Sequence, residues 1–202
     1  FDVAAARARG VTVCGTPSVG APTVDITWAL VLNLLRDVPN QQDSLRAGRW
    51  QTSVGTAVEG LTLGVVGLGK LGARVAKVGA AFGMKVVAWS QNLTPEKAAA
   101  AGATAVTKEE LFAAADVVTL HLVLSERSRG IVGAAELARM KRTAVIVNTS
   151  RGPLIDQDAL VAALTEGRIG GAGLDVFDQE PLPPDHPLLA CPNTVLTPHL
   201  GY

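Results

Sequence analysis

Aromatic side chains are scarce in this chain: three Trp, one Tyr and four Phe make up 4 % of 202 residues. A core of ordinary size must then be built from Val, Leu, Ile and Ala, as in parallel sheets covered by helices. An excess of either charge is missing too, since Lys+Arg and Asp+Glu both total 18. A neutral chain without a Lys/Arg block or interleaved aromatics gives nucleic acid nothing to hold, and no nucleic-acid partner is expected. Only two cysteines occur, Cys14 and Cys191, and neither belongs to a CxxC pair. That argues against a disulfide framework or a zinc site and fits a reducing, cytoplasmic setting. Long apolar runs are absent: the longest, residues 26–35, is interrupted by Asn33 and too short to span a bilayer. With no charged-then-apolar leader at its start, the chain reads as a soluble protein without a membrane partner. No Gly-x-Ser-x-Gly elbow supports a serine hydrolase. The three histidines are scattered and form no His-Glu-x-x-His helix, so no metal is expected.

What the chain does have is glycine, 21 residues of it. The most informative stand in Gly67-Leu68-Gly69-Lys70-Leu71-Gly72, directly behind the apolar run Leu61-Thr62-Leu63-Gly64-Val65-Val66 and ahead of a helix-like stretch. Strand, glycine turn and helix together make a phosphate-binding corner. Gly67 permits the tight turn, Gly69 lets a dinucleotide's pyrophosphate approach the backbone, and Gly72 lets helix and strand pack closely. The helix then aims its unpaired N–H groups and positive dipole end at the phosphates. A glycine turn without a ligand is the competing reading of this segment taken alone.

Downstream, β-branched runs at 86–89, 116–121, 144–148, 173–177 and 194–197 alternate with helical compositions at 94–101, 108–115, 134–140 and 156–166. Several of the helical segments have Thr, Asp or Pro near their starts. This alternation predicts an α/β fold, a doubly wound parallel sheet with helices on both faces. Upstream, residues 23–36 form an amphipathic helix introduced by Pro22 and ended before Pro39. The opening, residues 4–9 followed by Gly10-Val11-Thr12-Val13-Cys14, reads as a helix end and one more strand, as if the chain began inside a domain. Phe1 is not a translation start, so upstream sequence or a trimmed boundary is expected.

Three strand ends carry the polar residues of interest, and ligands of open α/β sheets bind at those ends. In Asn148-Thr149-Ser150-Arg151-Gly152-Pro153, Arg151 can present a planar fork of donors to a carboxylate; a surface arginine closing a helix cap is the alternative. In Leu174-Asp175-Val176-Phe177-Asp178-Gln179-Glu180-Pro181, Asp175 lies in the strand-like run and needs a partner, which makes it a candidate cofactor contact. Asp178 reads as solvated, and Glu180 as either a functional acid or an ordinary loop charge. In Thr197-Pro198-His199-Leu200-Gly201, His199 can exchange a proton near neutral pH, and a carboxylate such as Glu180 beside it would hold the ring; a solvated loop histidine is the alternative. His121 and His186 read as structural, and Trp28, Trp50 and Trp89 as packing residues.

Taken together and in order, these four segments resemble the D-isomer-specific 2-hydroxyacid dehydrogenase family. The resemblance implies a Rossmann-fold cofactor domain inserted into a flavodoxin-like substrate domain, most of which this chain would lack. Residues 1–17 would be a remnant of the substrate domain and 18–202 the dinucleotide-binding domain. By the same resemblance Arg151 binds the substrate carboxylate, His199 is the acid/base and Glu180 stabilises its imidazolium. Asp175 contacts the nicotinamide end, Thr149 and Ser150 line the cofactor beside Arg151, and Lys70 and Leu71 cover the pyrophosphate. The expected cofactor contacts are thus Gly67, Leu68, Gly69, Lys70, Leu71, Gly72, Ser90, Thr149, Ser150, Arg151, Asp175, His199 and Gly201. Glu180 also separates the chain from the related formate dehydrogenases.

The implied activity is hydride transfer between a nicotinamide cofactor and a D-2-hydroxy acid or 2-keto acid. An NADH-sensing regulator or corepressor on the same fold is the alternative from another class, and a dehydrogenase for another substrate such as phosphite a further one. At the end of the second strand, where an acid usually binds the ribose hydroxyls, stand Ser90, Gln91 and Asn92. NAD is the expected cofactor and NADP is left open. A homodimer is implied as well, with residues 40–51 as an arm in which Arg46, Arg49 and Trp50 make the contact; a surface helix and turn is the other reading. Without the other wall of the cleft, these 202 residues are expected to bind dinucleotide but turn over poorly.

Overall fold

The computed structural model describes residues 2–15 and 19–202, so Phe1 and the expected domain boundary between residues 17 and 18 lie outside it. The β-branched runs become short parallel strands: β1 (Thr62–Val66), β2 (Lys85–Trp89), β3 (Thr104–Ala105), β4 (Val117–Leu120), β5 (Val145–Asn148), β6 (Gly171–Leu174) and β7 (Thr194–Leu196). They form one sheet in the order β3-β2-β1-β4-β5-β6-β7. The chain winds outward from β1 through β2 to β3, returns to place β4 on the other side of β1, and continues to β7. Such a reversal opens a crevice at the carboxyl ends of the two strands where winding changes direction, here β1 and β4.

Both faces of the sheet are covered, as a parallel sheet requires. On one face, α2 (Ala21–Arg36) and α4 (Lys70–Ala81) bury Val24, Val31 and Val75 against Leu63, Val65 and Val147. On the other, α6 (Lys108–Ala114), α7 (Ala134–Arg139) and α8 (Gln157–Thr165) bury Phe112, Leu137 and Leu160 against Val118, Leu120 and Ile146. Neighbouring residues such as Val117 and Val118 thus serve opposite cores, the period-two alternation of a strand.

Local chemistry sets several of these starts. Thr107 and Glu110 form a reciprocal capping box at α6, and the Asp156 carboxylate accepts the Ala159 N–H at 3.0 Å to open α8. Thr94 does the same for α5 (Pro95–Ala100), accepting from the Lys97 N–H at 3.3 Å.

Two details differ from expectation. Residues 10–14, read as a strand, are exposed and pair with no strand among the described residues, although α1 (Val3–Ala8) precedes them as expected. An alternating pattern makes a strand only where a neighbouring edge completes its hydrogen bonds. The amphipathic helix α2 ends at Arg36, before Pro39 as expected, and Pro39 itself lies in the first turn of α3 (Val38–Arg46). It is Asp37, with φ of 54°, that separates α2 from α3. Strand β6 stops at Leu174, which places Asp175 just past its end. Among the described residues no helix is long and apolar enough to cross a membrane.

Candidate active site

The glycine corner follows β1 immediately. Gly67 has φ of +100°, and a Cβ there would stand 2.8 Å from the His121 carbonyl carbon, so only glycine makes this turn. A Cβ on Gly72 would lie 2.1 Å from the Gly67 carbonyl oxygen, which is how α4 approaches the strand end. Gly69 is the opposite case: a Cβ there would meet nothing within 4 Å, and its surface opens on free space at the start of α4. No side chain caps α4, unlike α5, α6 and α8, so its first N–H groups face that space without a side-chain acceptor. An open cradle at the positive end of a helix, with no side chain at Gly69 to intrude, fits the pyrophosphate of a dinucleotide. Lys70 is exposed and Leu71 half-buried beside it. Ser90, at the end of β2, accepts the Leu68 N–H at 2.9 Å and so tethers the glycine turn.

Arg151 is carried by a turn that the Asn148 side chain closes. The Asn148 amide donates to the Arg151 carbonyl at 2.9 Å, and its oxygen accepts the Ser150 N–H at 3.0 Å. Ser150 donates its hydroxyl to the Leu122 carbonyl at 2.6 Å. Thr149 is buried, its hydroxyl 2.7 Å from that of Thr27 on α2. Thr27 gives its own proton to the Thr23 carbonyl at 2.7 Å, leaving Thr149 as donor of the pair. Arg151 itself is exposed, its guanidinium bonded to the Ser150 carbonyl. Gly152 presses on the next strand exit, where its Cβ would come within 2.1 Å of the Phe177 carbonyl carbon.

Glu180 and His199 meet on the loops after β6 and β7. Nδ1 of His199 lies 2.7 Å from Oε2 of Glu180, whose Oε1 accepts the Phe177 N–H at 2.9 Å. Partial burial works to raise the Glu180 pKa. The His199 hydrogen bond, the Phe177 N–H and the charges of His199 and Arg151 outweigh it and hold the carboxyl below its usual range. The pair borders a largely apolar cavity of about 640 Å³ with Phe177, Leu182 and Leu196 on its wall.

Asp175 is fully buried and faces this same loop. Its Oδ1 accepts the Thr197 hydroxyl at 2.6 Å and the Leu200 N–H at 2.8 Å, and its Oδ2 accepts the Gly201 N–H at 2.8 Å. The carboxylate expected to touch a cofactor is therefore engaged in fixing the turn that carries His199. The Gly201 carbonyl in turn accepts the Thr23 hydroxyl at 2.6 Å.

The structure thus brings His199 onto Glu180 and sets Arg151 on an adjoining strand exit, with the glycine corner and Ser90 further along the same edge of the sheet. The residues that composition and motif did not single out are Thr23 and Thr27, which link α2 to both the His199 turn and the Arg151 turn. Hydroxyls one helical turn apart on a buried face were the available signal, although a threonine there passes equally as apolar. His186, read as structural, lies 2.7 Å from the Gln157 amide and accepts the Leu188 N–H.

His121 stands at the crevice, one residue past β4. Both of its ring nitrogens are sealed from water and meet no hydrogen-bond partner among the described residues, and burial pushes its pKa down from 6.5 to about 4. The folded chain therefore takes up this proton later than the unfolded chain does. Stability from the neutral ring is complete above pH 6.5 and is lost as pH falls from there through about 4. A His121→Leu variant is expected to flatten urea-unfolding free energies across that window, whereas an unchanged slope would remove His121 as its source.

The family model for "D-isomer specific 2-hydroxyacid dehydrogenase, NAD binding domain" matches residues 28–201. The chain is 41 % identical over 209 residues to a glyoxylate reductase of Aeropyrum pernix, covering 98 % of this chain and 62 % of that protein. Among solved structures, a phosphoglycerate oxidoreductase of Vibrio cholerae superposes with a TM-score of 0.93 at 38 % identity, covering all of this chain and 66 % of the other. The Aquifex aeolicus D-lactate dehydrogenase complexed with NAD and lactic acid superposes with a TM-score of 0.85 at 28 % identity, again over 66 % of its length. The chain therefore spans just under two thirds of each of these proteins.

Proposed function

Because this chain belongs to the D-isomer specific 2-hydroxyacid dehydrogenase family through its NAD binding domain, we propose that the protein moves a hydride between NAD and a D-2-hydroxy acid or 2-keto acid. The observation that carries this reading is the 2.7 Å contact of His199 with Glu180 on the same sheet edge as Arg151 and the glycine corner. Bound at that corner, the nicotinamide dinucleotide supplies or accepts the hydride.

The chain's own residues do the rest. Gly67, Gly69 and Gly72 shape the pyrophosphate cradle, Leu68, Lys70 and Leu71 cover it, and Ser90 borders the adenosine ribose. Thr149, Ser150, Arg151, Asp175, His199 and Gly201 form the nicotinamide side, where the buried Thr149 hydroxyl and Asp175 carboxylate act through the turns they hold. Arg151 clamps the substrate carboxylate with its planar fork. Because Nδ1 of His199 faces Glu180, Nε2 is the nitrogen left for substrate. In reduction, protonated His199 gives its Nε2 proton to the keto oxygen, and Glu180 holds the ring and offsets its charge. In oxidation Nε2 receives the proton from the hydroxyl. The relatives described above are enzymes, and the regulator reading finds no support among them.

Within this reading, residues 18–202 are the dinucleotide-binding domain and 1–17 belong to the substrate domain. The protein is a cytoplasmic homodimer, with Arg46, Arg49 and the exposed Trp50 at the contact. The test is an NADH-oxidation assay of the full-length protein, with its substrate domain, against glyoxylate, hydroxypyruvate, pyruvate and bulkier keto acids. Turnover on at least one is expected, and NADH binding without turnover on any would favour the sensor instead.

A further inference from the structure

We propose that Thr23 and Thr27 of α2 are positioning residues for hydride transfer, Thr27 setting the substrate clamp at Arg151 and Thr23 the acid/base at His199. This rests on the reading of the protein as a 2-hydroxyacid dehydrogenase. Helix α2 buries six residues, and four of them, Val24, Trp28, Leu30 and Val31, pack into the apolar core on that face of the sheet. The other two are the threonines, and their hydroxyls reach beyond the helix. Thr27 donates to the Thr23 carbonyl at 2.7 Å, a local bond common to buried threonines. It also accepts the Thr149 hydroxyl at 2.7 Å, and Thr149 stands two residues before Arg151. The Thr23 hydroxyl leaves its helix altogether and donates to the Gly201 carbonyl at 2.6 Å, two residues after His199.

These bonds join into one directed chain. Thr149 donates to Thr27, Thr27 to the Thr23 carbonyl, the Thr23 hydroxyl to the Gly201 carbonyl, and the Gly201 N–H to Oδ2 of Asp175 at 2.8 Å. Successive donors lead from the exit of β5 through α2 to the buried Asp175 carboxylate beyond β6, and bonds aligned in this way polarise one another.

A valine would replace either threonine with the same branching at Cβ, but without the hydroxyl the chain breaks at that link. Thr27→Val leaves the buried Thr149 hydroxyl without its acceptor, and Thr23→Val leaves the Gly201 carbonyl without its donor. The two breaks have different kinetic consequences. Arg151 grips a carboxylate that the reaction leaves unchanged, so loosening its turn weakens substrate and transition state alike. His199 moves its proton only in the chemical step, so loosening its turn slows that step.

Steady-state kinetics of the full-length protein test this, at saturating NADH and on whichever keto acid of the panel above it reduces fastest. Thr27→Val should raise KM about five- to tenfold and leave kcat within about twofold, the size of one lost hydrogen bond. Thr23→Val should lower kcat about five- to tenfold and leave KM within about twofold. Thr27→Ser and Thr23→Ser keep the hydroxyls and should stay within about twofold of the wild type in both constants. Thr149→Val removes the Thr27 bond from its other end, so it should reproduce the rise in KM, and it carries the test if Thr27→Val does not fold. The proposal is overturned if KM and kcat shift together in both valine variants or the two signatures are exchanged. It is equally overturned if the valine variants match the wild type or the serine variants are as impaired as the valine ones. A wild-type protein that turns over no keto acid would instead overturn the underlying reading of the activity.

Discussion

Exchange of His199 for glutamine is expected to lower kcat/KM for 2-keto-acid reduction about a hundredfold to ten-thousandfold, the range a positioned acid/base supplies. Glutamine keeps a donor within reach of Glu180, whose Oε2 lies 2.7 Å from the histidine ring, but it has no proton to transfer at neutral pH. The pyrophosphate cradle lies at β1, with β4, β5 and β6 between it and β7, so NADH affinity should remain close to that of the wild type. The two measurements together separate a chemical role from a structural one. Loss of NADH binding in parallel with activity would mean that the exchange had disturbed the loop, and unchanged turnover would remove His199 as the proton donor. Glu180→Gln should cost less, since its Phe177 N–H acceptor is preserved while the charge that steadies an imidazolium is gone.

Replacement of Gly152 by alanine is the other large effect, and it needs no ligand to be seen. The added methyl would lie 2.1 Å from the Phe177 carbonyl carbon and 2.5 Å from the Asp178 nitrogen, both backbone atoms without a rotamer to change. The two strand exits must part, at a cost of at least about 3 kcal/mol, the upper end of what overpacking usually exacts. For a domain of this size that corresponds to a fall in Tm of roughly 6–12 °C. Because Arg151 precedes Gly152 and Glu180 follows Phe177, the separation also moves the carboxylate binder away from the acid/base pair. Gly69→Ala is the instructive contrast, since its methyl meets nothing within 4 Å. Thermal unfolding should barely change there, and calorimetry should show dinucleotide affinity falling. Equal Tm losses in the two variants would contradict the assignment of Gly69 to an open cradle.

What could be read from sequence was what neighbouring residues decide. The glycine corner, the Asp156 and Thr107 helix starts and the three polar strand exits are all written within a few consecutive positions. Arg151, Glu180 and His199 are legible because each stands in the short polar turn that follows a strand-like run, where a parallel sheet presents its ligand-facing edge. The contacts that orient them are of another kind. Thr27 meets Thr149 across 122 positions of sequence, and Thr23 meets Gly201 across 178. Periodicity placed Thr27 on the inner face of its helix, but that face accepts a threonine for its methyl as readily as for its hydroxyl. Asp175 shows the same boundary: a carboxylate at that point had to find a partner, yet only the folded chain identifies it as the backbone around His199. Residues 10–14 fail in the reverse direction, since a β-like pattern is present and no edge among the described residues completes it.

The two threonines of α2 have a consequence for precision at the site. Through Thr27 the helix holds the Arg151 turn, and through Thr23 the His199 turn, so both are referenced to one rigid body. Any rocking of that helix displaces the carboxylate binder and the proton carrier in the same direction at once. Shared displacement cancels in the distance between them, as it does between two marks on a single ruler. Two turns anchored to separate helices would instead accumulate the independent jitter of each.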